Sequence, residues 1–79
     1  MDQQGLRNAI VRKLAHGLLP GEKCQMTWFG PGAGQSCACC DKPILATEVE
    51  CECDRPSGGV IRFHQRCFAL WDTLRQAER

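Results

Sequence analysis

Long apolar runs are missing from this chain. Leu18-Leu19 and Ile44-Leu45-Ala46 are typical of what it has, and nothing approaches the roughly 20 residues needed to span a bilayer. The stretch Met1 to Lys13 opens with an acid and several polar residues and lacks the apolar segment of a signal peptide. The reading is therefore a non-exported, cytoplasmic chain. An excess of one charge is missing too: ten Lys and Arg against nine Asp and Glu leave +1, which is neither the field of a general nucleic-acid binder nor an acidic tail. Gly30-Pro31-Gly32-Ala33-Gly34 has no Gly-Lys-Ser/Thr after it and no apolar strand before it, so it reads as a turn and not as a phosphate cradle. No base is spaced against a nucleophile, and the expectation is a protein without catalytic residues, not an enzyme. No internal repeat is visible. At 79 residues the chain is one domain, residues 1–79, and a core this small seldom holds itself together unaided.

Cysteine supplies what the core lacks. There are seven, an odd number that cannot be paired entirely as disulfides within one chain. Without an export signal they are expected among reduced thiols, where cysteines more often bind metal. Two chelating pairs stand out, Cys37-x-x-Cys40 and His64-x-x-Cys67, separated by 23 residues. A two-residue spacer lets a tight turn aim both donors inward, and three thiolates with one imidazole suit a single tetrahedral Zn2+. Four protein ligands leave no position for an activated water, so the site is structural.

The rest of the pattern places those pairs. Residues 1–19 form an amphipathic helix with Leu6, Ile10 and Leu14 on one face and Arg7, Arg12 and Lys13 on the other, stopped by Gly17 and Pro20-Gly21. Residues 20–36 read as a Gly/Pro-rich loop carrying Met26, Trp28 and Phe29 as anchors. The zinc-binding module takes residues 37–79. Between Glu48 and Cys53 acids alternate with Val49, Cys51 and Cys53, a half-buried strand; Asp54 to Gly59 is a turn; Val60 to Phe63 alternates again. A helix then buries Cys67, Leu70, Trp71 and Leu74 and turns Arg66, Asp72, Arg75 and Arg79 away. Its N-terminal dipole should favour a Cys67 thiolate. Asp41 to Asp54 carries five acids and one base, Arg55 to Arg79 five bases and two acids, so hairpin and helix are expected to attract. The fold class is a small metal-stapled α+β: N-terminal helix, zinc knuckle, β-hairpin, C-terminal helix.

At these residues the chain resembles the treble-clef zinc fingers, over residues 37 to about 75. CxxC followed by HxxC-Phe also resembles the first zinc module of a LIM domain, but Leu70 stands where the next cysteine would fall, so it resembles half of one. The fuller pattern resembles small bacterial zinc-finger proteins: Trp28-Phe29-Gly30-Pro31-Gly32, Lys42-Pro43-Ile44 and Phe63-His64-x-x-Cys67-Phe68-x-Leu-Trp71. The resemblance implies a stand-alone zinc-binding protein and no particular activity.

Cys39 reads as a spare, partly exposed thiol, and Cys51 and Cys53 as core filling; His16 fits a helix C-terminus. A second metal site from Cys24, His16, Cys51 and Cys53 has no chelate spacing to support it. Three functions compete. The favoured one is a zinc-stapled module that presents Trp28-Phe29, the hairpin edge or the last helix to another protein, as an adaptor or regulator. The alternatives are nucleic-acid binding through Arg55, Arg62, Arg66, Arg75 and Arg79 with Arg7, Arg12 and Lys13, and a thiol redox or soft-metal sensor using Cys39, Cys51 and Cys53.

Overall fold

A computed structural model describes residues 2–77, so Arg79 lies outside the described residues. The order is α1 (Gln3–Ala15), β1 (Met26–Pro31), β2 (Val49–Asp54), β3 (Val60–His64) and α2 (Gln65–Ala77), a small α+β arrangement around one antiparallel sheet of order β1-β2-β3.

The Asp2 carboxylate caps α1, accepting from the Gly5 N–H at 2.7 Å. The helix ends because Gly17 adopts φ +73°, which lets Leu18 N–H reach the Lys13 carbonyl (2.8 Å) and Gly17 N–H the Leu14 carbonyl (3.3 Å). That pair of bonds satisfies the last carbonyls and turns the chain back. Leu6, Ala9 and Ile10 are buried against α2, whose own inward stripe is Cys67, Trp71, Leu74 and Arg75. Trp71 is the centre of the core: it stacks on Phe63 at 4.9 Å and donates its indole N–H to the Pro20 carbonyl at 3.0 Å. Phe68 meets Phe63 and Phe29 edge-on.

The hairpin forms where its alternation predicts it. Cys51 and Cys53 face inward, opposite Phe63 and Ile61, and Gly58 and Gly59 take positive φ in the turn. The other face carries Glu50, Glu52 and Asp54. One detail departs from simple alternation: Val49 is exposed whereas Glu50 is buried, because Val49 lies at the strand's end and Glu50 sits between two neighbouring strands.

Residues 20–36 are not all loop. Met26–Pro31 is an edge strand, paired along its length with β2 from Met26 opposite Asp54 to Pro31 opposite Val49. Backbone pairing overrides composition here, since an edge strand tolerates Gly and Pro that a central one would not. After the strand the chain crosses residues 44–48 closely: Gly32 N–H donates to the Glu48 carbonyl and Gly34 N–H to that of Ile44, both at 2.9 Å. A Cβ at Gly32 would collide with the carbonyls of Ile44 and Leu45. Gly32→Ala is expected to lower stability by about 1–3 kcal/mol, read as a shift of the urea midpoint; an unchanged midpoint would mean the crossing gives way freely.

The acids of the hairpin are answered by the hairpin's own Arg62 and not by the bases of α2. Arg62 lies 3.5 Å from Glu50 and 3.6 Å from Glu52 across the hairpin, and Arg75 pairs with Asp72 at 2.6 Å inside α2. The expected attraction of hairpin for helix has no ion pair among the described residues. Arg75 is itself buried, its guanidinium 5.6 Å from the Trp71 ring centre.

Candidate metal centre

The donor atoms of Cys37, Cys40, His64 and Cys67 all lie within 4.8 Å of one another, and among the described residues no other group of three or more such side chains gathers. Each comes from where the spacing puts it. Cys37 and Cys40 stand on a turn closed by Asp41 N–H to the Cys37 carbonyl and Cys37 N–H to the Lys42 carbonyl, both 2.9 Å. Asp41 takes φ +66° there, a conformation Asp tolerates better than most residues. The turn is pinned to the hairpin by Ala38 N–H to the Arg62 carbonyl at 2.8 Å. His64 ends β3 and Cys67 lies in the first turn of α2.

The histidine's distances come near those of a tetrahedral ion. Zn–S of about 2.3 Å and Zn–N of about 2.0 Å imply sulfur–nitrogen edges of roughly 3.5 Å. His64 Nδ1 lies 3.4 Å from the Cys40 sulfur and 4.0 Å from that of Cys67. The other ring nitrogen is engaged as a metal-bound imidazole requires: Nε2 is 3.2 Å from both Glu48 Oε1 and the Pro43 carbonyl. A proton on Nε2 leaves Nδ1 free to ligate, and the carboxylate behind it fixes the ring's orientation. Glu48 is itself held in place by the Leu45 N–H at 2.8 Å, which is also the main reason its carboxyl is held below the usual range. The sequence pattern overlooks Glu48's part, because nothing in the spacing marks an acid sixteen residues before the histidine as its partner.

The sulfurs polarise one another. Cys37 is held far below the ordinary thiol range because the thiols of Cys39 and Cys67 donate to it. The same bond with Cys37 is the first cause that pushes Cys67 up to about 12. Without the ion, then, the direction at Cys67 is opposite to the thiolate that a helix N-terminus by itself would favour. The His64 N–H donates to the Cys37 sulfur at 3.4 Å, a further stabilisation of negative charge there. At His64 burial works against the charged form, but the hydrogen bond and charge of Cys37, with Glu48 behind them, leave its pKa raised. Loading the site must therefore displace protons from imidazole and thiols alike.

Cys39 is not the spare, partly exposed thiol its position suggests. It is 0% exposed, its thiol lies 3.7 Å from the Cys67 carbonyl, and its bond to Cys37 raises its pKa above the ordinary thiol value. Cys51 is fully buried as read, and desolvation pushes it up to about 11. Cys53 is buried too, but as one half of a disulfide with Cys24, the Cα atoms 5.4 Å apart. That bond runs against the expectation of thiols alone, since disulfides belong to oxidising surroundings. It ties residues just before β1 to the central strand. His16 caps α1 and joins no metal cluster.

One further residue shapes the centre. Lys13, expected on a solvated basic face, is buried; its ammonium donates to the Ala38 and Cys39 carbonyls at 2.9 and 3.0 Å and to Asp41 Oδ1 at 2.8 Å. It docks α1 onto the Cys37–Cys40 turn. With Lys13 and Arg75 buried and Arg62 between two carboxylates, the proposed basic surface loses three members. A recess of about 470 Å3 opens beside the centre, lined by Cys40, His64 and Cys67 together with Lys42, Glu48 and Arg66.

No family model, curated protein or solved structure matches the chain significantly, so what the centre can do rests on its own geometry. That geometry is a Cys3His cluster able to hold a metal ion, consistent with a zinc finger. No helix among the described residues is long and apolar enough to cross a membrane.

Proposed function

We propose that this chain is a treble-clef-like module whose Cys37, Cys40, His64 and Cys67 hold one structural Zn2+, and whose work is to present a surface to another protein. The observation that carries the metal reading is the convergence of four donors, all from protein, with the imidazole oriented by Glu48. Four such ligands complete a tetrahedral zinc and support a non-catalytic role. Support for the interaction role comes from the sheet's free edge. Met26, Trp28 and Phe29 on β1 are 50%, 55% and 60% exposed, and large aromatics left on a surface are the residues that most often anchor a partner. The cytoplasm remains the proposed compartment, where the Cys24 and Cys53 thiols would lie side by side in place of the bond.

A photo-reactive phenylalanine analogue placed at Met26, beside Trp28 on the free edge but outside its indole, tests the interaction, alongside native mass spectrometry of the metal content. One ion per chain and a discrete protein cross-link in the source cell, lost when Cys40→Ala removes the metal, are the expected results. Absence of a specific adduct with the ion in place would overturn the adaptor reading, and two or more ions per chain would overturn the closed site.

A further inference from the structure

The sheet face opposite the core holds a recess of about 310 Å3, lined by Trp28, Gly30, Glu50 and Glu52 with Phe29 and Pro31 at its margin. Its origin is in the register. Gly30 stands opposite Glu50 and Trp28 opposite Glu52, and cross-strand partners share a face. A Cβ at Gly30 would meet nothing within 4 Å, so the missing side chain leaves an open slot between an exposed indole and two carboxylates.

The slot has an unmatched charge. The strands put Glu50, Glu52 and Asp54 on this face against Arg62 and His64, and the His64 ring is already taken by Glu48 and Pro43. Arg62 approaches Glu50 through Oε2 and Glu52 through Oε1, at 3.5 and 3.6 Å, too far for strong charge-assisted bonds. Glu50 is 7% exposed, and its Oε1 is buried with no hydrogen-bond partner among the described residues. A buried carboxylate oxygen without a donor is costly and calls for a cationic one. The same strand is also a free edge. Gly32 N–H bonds β2's side of the ladder, so by antiparallel alternation the backbone groups of Thr27 and Phe29 point outward, with no strand beside them among the described residues. A strand added there would lie about 5 Å from β1, and its residue opposite Gly30 would share the acidic face with nothing between it and Glu50.

We infer that β1 pairs with an extended segment of a partner protein, and that the segment lays an arginine side chain across Gly30, between the Trp28 ring and the Glu50 and Glu52 carboxylates. Arginine fits this chemistry best: its planar guanidinium stacks on an indole while its fork donates to carboxylates. The inference rests on the protein-interaction reading above and names the partner's chemistry.

The probe is an acetylated and amidated peptide, Thr-Val-Arg-Val-Thr, titrated into 15N-labelled zinc-loaded protein, with a twin carrying neutral citrulline for arginine. Saturable shifts of the Trp28 indole and Gly30 amide resonances are expected, weaker by about tenfold or more with citrulline. Gly30→Val fills the slot without a clash and keeps a residue that favours strands. It should retain the remaining spectrum and lose binding, again by about tenfold. Glu50→Gln should weaken it too. Equal binding of both peptides, no saturable shift, or full binding by Gly30→Val would overturn the inference, as would an oligothymidylate that moves the same resonances more strongly. If the analogue at Met26 cross-links to a partner equally well with and without Gly30→Val, the interaction reading stands and the arginine slot falls. If no cross-link forms at all, the interaction reading falls and the partner-protein inference falls with it, even where the peptide binds.

Discussion

Treatment of the zinc-loaded, disulfide-reduced protein with a chelator is expected to abolish most of its far-ultraviolet circular dichroism. Structural zinc contributes an apparent 10–16 kcal/mol or so in finger peptides, against about 5–15 kcal/mol for the whole stability of an ordinary domain. Here the ligands also fasten the Cys37–Cys40 turn to the junction at which β3 runs directly into α2. Three further supports run through that turn, the Ala38 bond to β3 and the two carbonyls held by Lys13. Removing the ion should thus release α2 and α1 together. With Cys24–Cys53 oxidised the residual signal should be larger, because that bond keeps the start of β1 beside β2. A spectrum unmoved by chelation in the reduced protein would show that the ion is not the staple. Alkylation followed alongside gives a second reading. Cys39 should resist the reagent while the metal is bound and react once it is removed, since its sulfur is buried behind the centre. Rapid labelling of Cys39 in the loaded protein would restore the sensor hypothesis.

Lys13→Met should destabilise the zinc-loaded protein by about 2–5 kcal/mol, measured by urea unfolding. The methionine keeps most of the buried stem but leaves the Ala38 and Cys39 carbonyls without their donor. Each such loss costs about 1–3 kcal/mol where water cannot replace the bond. Asp41→Asn is the control. The Asp41 side chain is 75% exposed, so its ion pair with Lys13 should be worth at most about 1 kcal/mol. Similar losses in the two variants would mean that the ion pair, and not the capping of backbone carbonyls, holds α1 to the metal turn.

Much of the candidate site is legible in the amino-acid sequence. A CxxC and an HxxC are local constraints: two donors separated by two residues can reach one ion only through a tight turn or the first turn of a helix. The alternation of β2 and β3 and the stripe of Cys67, Trp71 and Leu74 follow from strand and helix periods in the same way. What stayed hidden depends on residues far apart. Cys24 and Cys53 are separated by 29 residues, and nothing in either neighbourhood marks them as partners. Lys13 looks like part of a solvated face because its partners, Ala38, Cys39 and Asp41, come from a turn 25 residues or more away. Met26–Pro31 has the composition of a loop, and only the register with β2 makes it a strand.

The sequence by itself determined which four side chains can share a metal ion, because chelate spacing is a short-range property of the backbone. Only the tertiary structure decided what surrounds that cluster: Glu48 behind the imidazole, Lys13 under the turn, Cys39 turned inward, and Gly30 opening a slot beside a buried carboxylate. Each of these rests on the meeting of segments distant along the chain, and that meeting is set by packing around Phe63 and Trp71, which no local pattern encodes.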